Sequence, residues 1–338
     1  MYSALRPLLF RLDAERAHRW TLKLLSAAHQ LGVLQLALPN AGSGPGSGAV
    51  ELMGLTFPNR VGLAAGYDKN AACVDALGTL GFGFIEVGTV TPKPQPGNAR
   101  PRIFRIREAQ AVVNRMGFPN EGVAALCAHL RLRRFRGVCG VNIGKNAATP
   151  LEQAEADYIA CLRAVYPYAD YVAVNVSSPN TAGLRELERE ARLAPLLESL
   201  LETRSQLTQE HGRRVPLLVK LSPDLSDEEL AATAAVIGKL KLEGVIATNT
   251  TIRRPSVADL PHAREAGGLS GAPLLELTMA AVRRLRTELG AEVPIIGVGG
   301  IGSAADALQM RAAGADLVQV YTGLVYRGPR LVRELSQL

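Results

Sequence analysis

One stretch decides the class of fold: Tyr171-Val-Ala-Val-Asn175-Val-Ser177-Ser178-Pro179-Asn180-Thr181. Its first half is a β-branched and aromatic run, which favours a buried strand. Its second half holds Asn, Ser and Pro, which cannot continue a strand and are typical of a loop. Amide and hydroxyl side chains therefore lie where a strand opens into a loop, and in parallel α/β proteins that is where ligands bind.

Similar apolar runs recur from residue 51 onward, each ending in polar residues or glycine and separated from the next by a helical pattern. Together they cover residues 61–65, 84–88, 138–143, 171–176, 217–221, 244–247, 295–298 and 317–320. Strands that alternate with helices in this number predict an α/β fold, a (β/α)8 TIM barrel. A doubly wound open sheet is the alternative. It normally has a Gly-x-Gly-x-x-Gly turn after an early strand, and the glycine cluster at 297–302 is late and differently spaced.

Composition limits the classes of function. The chain has 338 residues and is 47% hydrophobic, which fits one large α/β domain with an appendage, or two domains. Its formal net charge of +7 favours anionic ligands or surfaces. Dispersed arginines and only 5% aromatic residues argue against nucleic acid. The cysteines show no Cys-x-x-Cys spacing, which argues against a metal site, a cluster or a disulfide framework and favours a reducing compartment.

Residues 1–38 form a predicted helical extension. Leu5, Leu9 and Leu12 recur at helical spacing, and Asp13 is a candidate N-cap for a second helix. No apolar run approaches the roughly 20 residues that span a bilayer, and there is no signal-peptide pattern. Either the helices pack on the main domain as a cap, or they form a basic amphipathic pair on an anionic membrane surface.

Residues 39–50 are rich in Gly, Ser and Pro. This composition predicts a flexible linker between the extension and a catalytic domain at 51–338.

Polar residues follow the predicted strands, and a barrel would bring them to one mouth. They are Asp68, Lys69, Thr89, Asn142, Lys145, Asn175, Ser178, Asn180, Thr248, Asn249, Thr250, Tyr321 and Thr322. No histidine ends a strand and no carboxylates are paired there, so hydrolysis by two carboxylates and metal catalysis are poorly supported. Asn side chains match the alternating N–H and C=O groups of a flat, amide-bearing ligand.

The last two strands carry a different signal. Gly299 and Gly300 follow the seventh strand, and barrels commonly bind phosphate with the loops after strands seven and eight. Gly271 is a further candidate for this site. Lys220 lies midway through an apolar strand, and a buried cation needs an anionic partner. A reduced flavin with negative charge at N1 would be such a partner, and a structural salt bridge is the alternative.

A family resemblance is carried by motifs that run in one order from about residue 51 to the end. They are 64–69 (Ala-Ala-Gly-Tyr-Asp-Lys), 86–92 (Glu-Val-Gly-Thr-Val-Thr-Pro), 114–118 (Asn-Arg-Met-Gly-Phe), 141–145 (Val-Asn-Ile-Gly-Lys), 175–181, 247–251 (Ala-Thr-Asn-Thr-Thr), 267–271 (Gly-Gly-Leu-Ser-Gly) and 296–301 (Ile-Gly-Val-Gly-Gly-Ile). They resemble the motifs of the dihydroorotate dehydrogenase family. The resemblance implies a (β/α)8 barrel that binds FMN and oxidises dihydroorotate to orotate in pyrimidine biosynthesis.

The resemblance also implies roles. Ser178 would be the catalytic base, and Lys69 would pair with the substrate carboxylate. Substrate-binding residues would be Lys69, Asn114, Arg115, Met116, Gly117, Phe118, Asn175, Asn180, Asn249 and Thr250. FMN-binding residues would be Ala65, Gly66, Tyr67, Asp68, Lys69, Thr89, Asn142, Asn175, Lys220, Thr248, Gly271, Gly300, Tyr321 and Thr322. No metal is implied, and Tyr67 departs from the smaller apolar residue usual there.

The serine and the helical extension resemble the quinone-dependent class 2 branch. Class 1 members use a cysteine base, and none of Cys73, Cys127, Cys139 and Cys161 follows Asn175. Class 2 membership implies that the extension forms the mouth of a quinone tunnel, with His18 and Arg105 meeting the quinone head. We therefore expect a monomeric, peripheral protein on the cytoplasmic face of the cell membrane.

Two other functions stay open at this point. A class 1-like enzyme on the same scaffold would pass its electrons to fumarate or NAD. A non-enzymatic module would use the basic helices to bind a membrane surface.

Overall fold

The structure is a computed structural model that describes residues 2–34 and 48–338. Residues 39–47 of the predicted linker lie outside the described residues. At its C-terminal end the linker stops before residue 50, because Val50 already pairs with Phe57 in an antiparallel hairpin.

The strands of the described chain are β1 (Val50–Leu52), β2 (Leu55–Phe57), β3 (Val61–Leu63), β4 (Phe84–Val90), β5 (Ile103–Ile106), β6 (Ala111–Asn114), β7 (Val138–Ile143), β8 (Tyr171–Asn175), β9 (Leu217–Leu221), β10 (Gly244–Ala247), β11 (Gly268–Gly271), β12 (Ile295–Val298) and β13 (Leu317–Val320). The α-helices are α1 (Tyr2–Leu9), α2 (Ala14–Gln30), α3 (Val74–Gly78), α4 (Val123–Leu130), α5 (Ala154–Val165), α6 (Glu190–His211), α7 (Asp227–Leu240), α8 (Leu275–Leu289), α9 (Ala304–Ala312), α10 (Thr322–Arg327) and α11 (Pro329–Leu335).

A closed parallel barrel forms the centre of the molecule. Its strands follow the order β3, β4, β7, β8, β9, β10, β12, β13 and return to β3. These strands coincide with the predicted apolar runs to within two residues, so the (β/α)8 barrel is confirmed. The strands read as continuous apolar runs because helices cover their outer faces and side chains fill the interior.

The barrel is sealed at the end where its strands begin. Phe84 and Tyr171 fill the interior there and are fully buried. Phe57 of the β1–β2 hairpin packs edge-on against Phe84, with ring centroids 5.3 Å apart. Each such side chain stabilises the fold by about 1.5–3 kcal/mol through burial. The opposite end, where the strands finish, is therefore the end that remains available for a ligand.

A three-stranded antiparallel sheet of β5, β6 and β11 lies outside the barrel. The sequence analysis did not predict it. It pairs a hairpin inserted after β4 with a strand inserted after β10, so it joins two loops that are far apart in sequence. Asn114 ends β6 and pairs with Gly268 of β11, which brings the 114–118 motif to the mouth of the barrel.

The N-terminal helices dock beside this mouth. Asp13 caps α2 as predicted, because its carboxylate accepts the backbone N–H of Arg16 at 2.9 Å. Arg105 donates to the backbone oxygen of Leu12 at 2.9 Å, and its guanidinium lies 4.6 Å from the centroid of the Phe10 ring. Within residues 2–34 and 48–338, every helix is too short or too polar to cross a bilayer.

Candidate active site

A cavity of about 610 Å³ opens where the barrel strands end. Its volume falls in the range of small-molecule sites. The predicted residues that line it are His18, Ala65, Gly66, Tyr67, Lys69, Thr89, Arg105, Asn114, Met116, Gly117, Phe118, Asn175, Ser178, Asn180, Lys220, Thr248, Asn249, Thr250, Gly271, Gly300, Tyr321 and Thr322. The structure thus brings together residues from seven of the eight motifs, and the 141–145 motif is the one that contributes no lining residue.

Asn side chains form a connected layer in this cavity. Asn175 donates to Thr89 Oγ1 at 2.9 Å and to Asn142 Oδ1 at 3.1 Å. Asn249 donates to Asn175 Oδ1 at 3.3 Å. Asn180, which also lines the cavity, donates to Asn114 Oδ1 at 3.1 Å. These contacts fix the orientation of the amides before any ligand binds, which lowers the entropic cost of recognition.

Two buried polar atoms in the loop after β8 have no hydrogen-bond partner. They are Oδ1 of Asn180 and Oγ1 of Thr181. A buried acceptor without a partner costs free energy, so such atoms suit a ligand that supplies the missing donors. The ring N–H groups of a flat, amide-bearing ligand would satisfy the Asn180 acceptor.

Ser178 is only 4% exposed. Its Oγ accepts the backbone N–H of Asn180 at 3.3 Å, and it lines the same cavity as Asn180 and Asn114. An N–H aimed at Oγ favours negative charge on that oxygen, which helps the hydroxyl to give up its proton. The serine is therefore held at the cavity in a setting that can support proton transfer.

Lys69 contributes a positive charge to the cavity. Its ammonium donates to the backbone oxygen of Gly66. Exclusion from bulk water, together with the nearby Arg102, lowers the pKa of Lys69 to about 8. A carboxylate bound at this position would offset that loss of hydration and keep the lysine protonated.

Lys220 meets a buried carboxylate. Its Nζ lies 3.8 Å from Oε1 of Glu86, whose side chain is fully buried. Glu86 is also the acceptor for Asn142, Tyr171 and Gln319 at 2.8–2.9 Å. Burial lowers the pKa of Lys220, and Glu86 opposes this effect. The salt bridge considered from the sequence is therefore present, and Lys220 still lines the cavity.

Small residues and hydroxyls line the cavity beside the last two strands. Gly299 and Gly300 follow β12, and Thr322 follows β13. Thr322 Oγ1 lies 2.8 Å from Ser270 Oγ, next to Gly271. Together with the buried Lys220, these groups fit a flavin that carries a phosphate.

Aromatic rings connect the N-terminal helices to the cavity. The His18 ring stacks edge-on against Tyr67 at a centroid distance of 4.9 Å, and Tyr67 contacts Tyr321 in the same way at 5.4 Å. Burial, with Lys69 nearby, lowers the pKa of His18 to about 4. The imidazole is therefore neutral at physiological pH and adds no charge to the apolar wall.

Three of the residues assigned to the substrate or the cofactor do not line the cavity. Asn142 lies directly behind it and contacts Asn175. Asp68 accepts backbone N–H groups of residues 72 and 73, so it orders the turn that carries Lys69. Arg115 pairs with Glu265 at 2.7 Å and lies over the Phe104 ring. Lys145, which was also expected at the mouth, does not line the cavity and donates to the backbone oxygens of Asn146 and Thr149.

One interaction was missed by the sequence reasoning. Glu15 of α2 forms a bidentate pair with the buried Arg102, at 2.8 and 3.0 Å. Burial opposes ionisation, but Arg102 and Arg100 keep the pKa of Glu15 below its usual value. The sequence analysis assigned no role to Glu15. An acidic residue on the inner face of an amphipathic helix was the available signal for a buried partner.

Comparison with known proteins agrees with this geometry. The family model described as Dihydroorotate dehydrogenase matches residues 47–337. A Chromobacterium violaceum protein named dihydroorotate dehydrogenase (quinone) is 55% identical, covering 100% of this chain and 97% of its own. A Stenotrophomonas maltophilia protein of the same name is 56% identical, covering 99% and 94%. The ligand-free DHODH structure from Eimeria tenella has a TM-score of 0.87 at 38% identity, covering 96% of this chain and 93% of that one.

Fold and site together define an oxidoreductase that uses a flavin on a (β/α)8 barrel. The match over the whole catalytic region and the identity to full-length relatives narrow this class further. The chain belongs to the dihydroorotate dehydrogenase family, whose reaction is a step of pyrimidine biosynthesis.

Proposed function

We propose that this protein oxidises dihydroorotate to orotate with FMN and passes the electrons to a membrane quinone. The observation that carries the proposal is the arrangement around one cavity of the Ser178 hydroxyl, the Asn amides and the Lys69 ammonium. The substrate is a flat ring with amide groups and one carboxylate. The amides suit the ring, and the ammonium suits the carboxylate.

The residues of this chain orient the substrate and move its proton. Asn114, Asn175, Asn180 and Asn249 bind the ring amides, and Lys69 binds the carboxylate. The Ser178 hydroxyl then acts as the base that takes the proton from C5. The partnerless Thr181 hydroxyl is a candidate for the next acceptor of that proton.

FMN, when bound, supplies N5 as the acceptor of the hydride from C6 of the substrate. We propose that Ala65, Gly66, Thr89, Asn142, Asn175 and Thr248 hold its ring system, and that Gly271, Gly300, Tyr321 and Thr322 hold its phosphate end. Lys220 would supply a positive charge to stabilise the negative charge of the reduced ring. Tyr67, Asp68 and Lys69 form the adjoining turn.

The N-terminal helices suit the second half of the reaction. We propose that residues 1–38 form a membrane-surface extension, followed by a linker at 39–50 and the catalytic domain at 51–338. His18 and Arg105 line the cavity on the helical side, where a quinone would enter from the bilayer. We further propose a monomer bound peripherally to the cytoplasmic face of the cell membrane.

Anaerobic stopped-flow spectroscopy of the purified flavoprotein tests this function. Dihydroorotate should bleach the flavin absorbance, and a short-chain quinone should restore it faster than fumarate or NAD. No bleaching would reject the substrate. Recovery only with fumarate or NAD would reject the quinone and favour a class 1-like enzyme.

Substitution of Ser178 tests the base. We expect Ser178→Ala to slow bleaching by about 10²–10⁴-fold, the usual contribution of a general base, and to leave reoxidation by quinone unchanged. Ser177→Ala is the matched control, because it removes the neighbouring hydroxyl that accepts from Asn249 at 3.0 Å and leaves Ser178 in place. Equal loss in both variants would contradict the assignment of the base.

A further inference from the structure

Arg185 bridges three loops of the catalytic face without lining the cavity. It lies in the short helical turn Leu184–Glu188, between β8 and α6. Its Nε donates to the backbone oxygen of Ser177 at 3.1 Å. Its two terminal nitrogens donate to Asp224 Oδ2 at 2.9 Å and to the backbone oxygen of Thr250 at 3.0 Å. Each nitrogen of one guanidinium therefore holds a different loop.

Two of the three loops carry residues assigned to the substrate. Ser177 immediately precedes the proposed base, and Thr250 adjoins Asn249. The third loop, after β9, supplies Asp224, whose side chain also accepts the backbone N–H of Ile252 at 2.9 Å. Asp224 therefore links the Arg185 side chain to the loop after β10 a second time.

A second contact anchors the far end of the same loop. The carboxyl group of Glu188 is buried and accepts the backbone N–H of Ser222 at 2.6 Å. The loop after β8 is therefore fixed to the loop after β9 at residues 185 and 188. These two contacts hold the C-terminal part of the segment that joins β8 to α6, and the same segment contains Gly183 in the left-handed conformation.

We propose that Arg185 is the positioning residue of the catalytic loop, which holds the backbone at Ser177 so that the neighbouring Ser178 hydroxyl faces the substrate. The proposal rests on the function proposed above. A planar guanidinium can donate in three fixed directions at once, whereas a lysine ammonium on a flexible stem cannot span these acceptors in the same way. The backbone oxygens that it holds would otherwise move with their loops.

Stopped-flow kinetics on the holoenzyme separate positioning from general damage. We expect Arg185→Ala to slow flavin reduction by dihydroorotate about 10- to 100-fold, because small misplacement of a reacting group is costly. Reoxidation of the reduced flavin by a short-chain quinone should keep the wild-type rate. Arg189→Ala is the matched control, since Arg189 belongs to the same loop and pairs with Glu186 at the surface, where its side chain is 68% exposed.

Two further measurements test whether Arg185 acts by positioning the loop. Millimolar guanidinium should restore part of the bleaching rate in Arg185→Ala and have no such effect on the wild type. Amide hydrogen exchange at residues 178–184 should be faster in Arg185→Ala before substrate is added. If Arg185→Ala does not fold, Arg185→Lys replaces it, with the same kinetic split expected.

The outcomes are distinguishable from failure of the proposed function. If the wild type is not bleached by dihydroorotate, the function itself fails. If the wild type is bleached and Arg185→Ala is bleached equally fast, the positioning role is overturned. The role is also overturned if both half-reactions slow equally, or if Arg185→Lys behaves as wild type.

Discussion

At the scale of single residues, Lys69 gives the substrate site a pH dependence. Its pKa of about 8 lies below the ordinary lysine value, so the ammonium loses its proton within an accessible pH range. A bound carboxylate favours the protonated form. We therefore expect the affinity for orotate to be constant below pH 8 and to fall by about tenfold per pH unit above it.

Titration of the holoenzyme with orotate between pH 6 and pH 9, followed by the change in flavin absorbance, measures this profile. Lys69→Met should bind orotate more weakly and with no break near pH 8, because the side chain cannot titrate. A break that persists in Lys69→Met would assign the titration to another group.

The sequence predicted the residues of this site better than their partners. Asn142 and Asn175 could be found because each lies at the end of an apolar run, where a barrel places its ligand-binding groups. Glu86 as the counter-ion of Lys220 could not be found in this way. The two residues belong to β4 and β9, which are not neighbours in the barrel. Their contact across the interior depends on strand tilt and stagger, which apolar periodicity does not encode.

At the scale of elements, the same limit applies to the sheet of β5, β6 and β11. The barrel strands are apolar runs of three to seven residues, and their composition and regular spacing along the chain were sufficient to predict them. β11 is Gly268–Gly271, with the sequence Gly-Leu-Ser-Gly, which has no strand propensity. It is a strand because it pairs with β6. The local sequence pattern does not predict a tertiary contact of this kind.

The N-terminal helices should be needed for reduction of the quinone but not for oxidation of dihydroorotate. They contact the barrel through groups such as Arg6, which donates to the backbone oxygen of Tyr326 at 3.0 Å, and Glu15. The amide layer and Ser178 belong to the barrel. We expect removal of residues 1–38 to preserve dihydroorotate-dependent reduction of a soluble dye and to abolish reduction of a long-chain quinone.

Steady-state assays with the two acceptors measure this separation. Loss of both activities with retained flavin would show that the helices also order the substrate site. Retention of both would remove the helices from the quinone pathway and leave them as a cap on the barrel.

At the scale of the whole molecule, exposed apolar and basic groups occur together on the N-terminal helices. Trp20 is 55% exposed and Leu31 is 79% exposed. Helix α2 also carries three exposed basic side chains, those of Arg16, Arg19 and Lys23. An amphipathic surface of this composition favours the interface of an anionic bilayer, where apolar groups enter the boundary and cations remain at the headgroups.

We expect the protein to co-sediment with phosphatidylglycerol vesicles and to bind phosphatidylcholine vesicles less strongly. Binding should weaken as salt rises, because screening shortens the reach of the basic side chains to about 8 Å at physiological ionic strength. Trp20→Asp should reduce binding at every salt concentration, since it removes apolar contact and adds a repelled charge. Leu132→Asp is the matched control, because Leu132 is 71% exposed but lies in the loop between α4 and β7, outside the N-terminal helices. Equal loss in both variants would indicate adsorption through the general positive charge of the molecule, and the helices would then not be the membrane-binding surface.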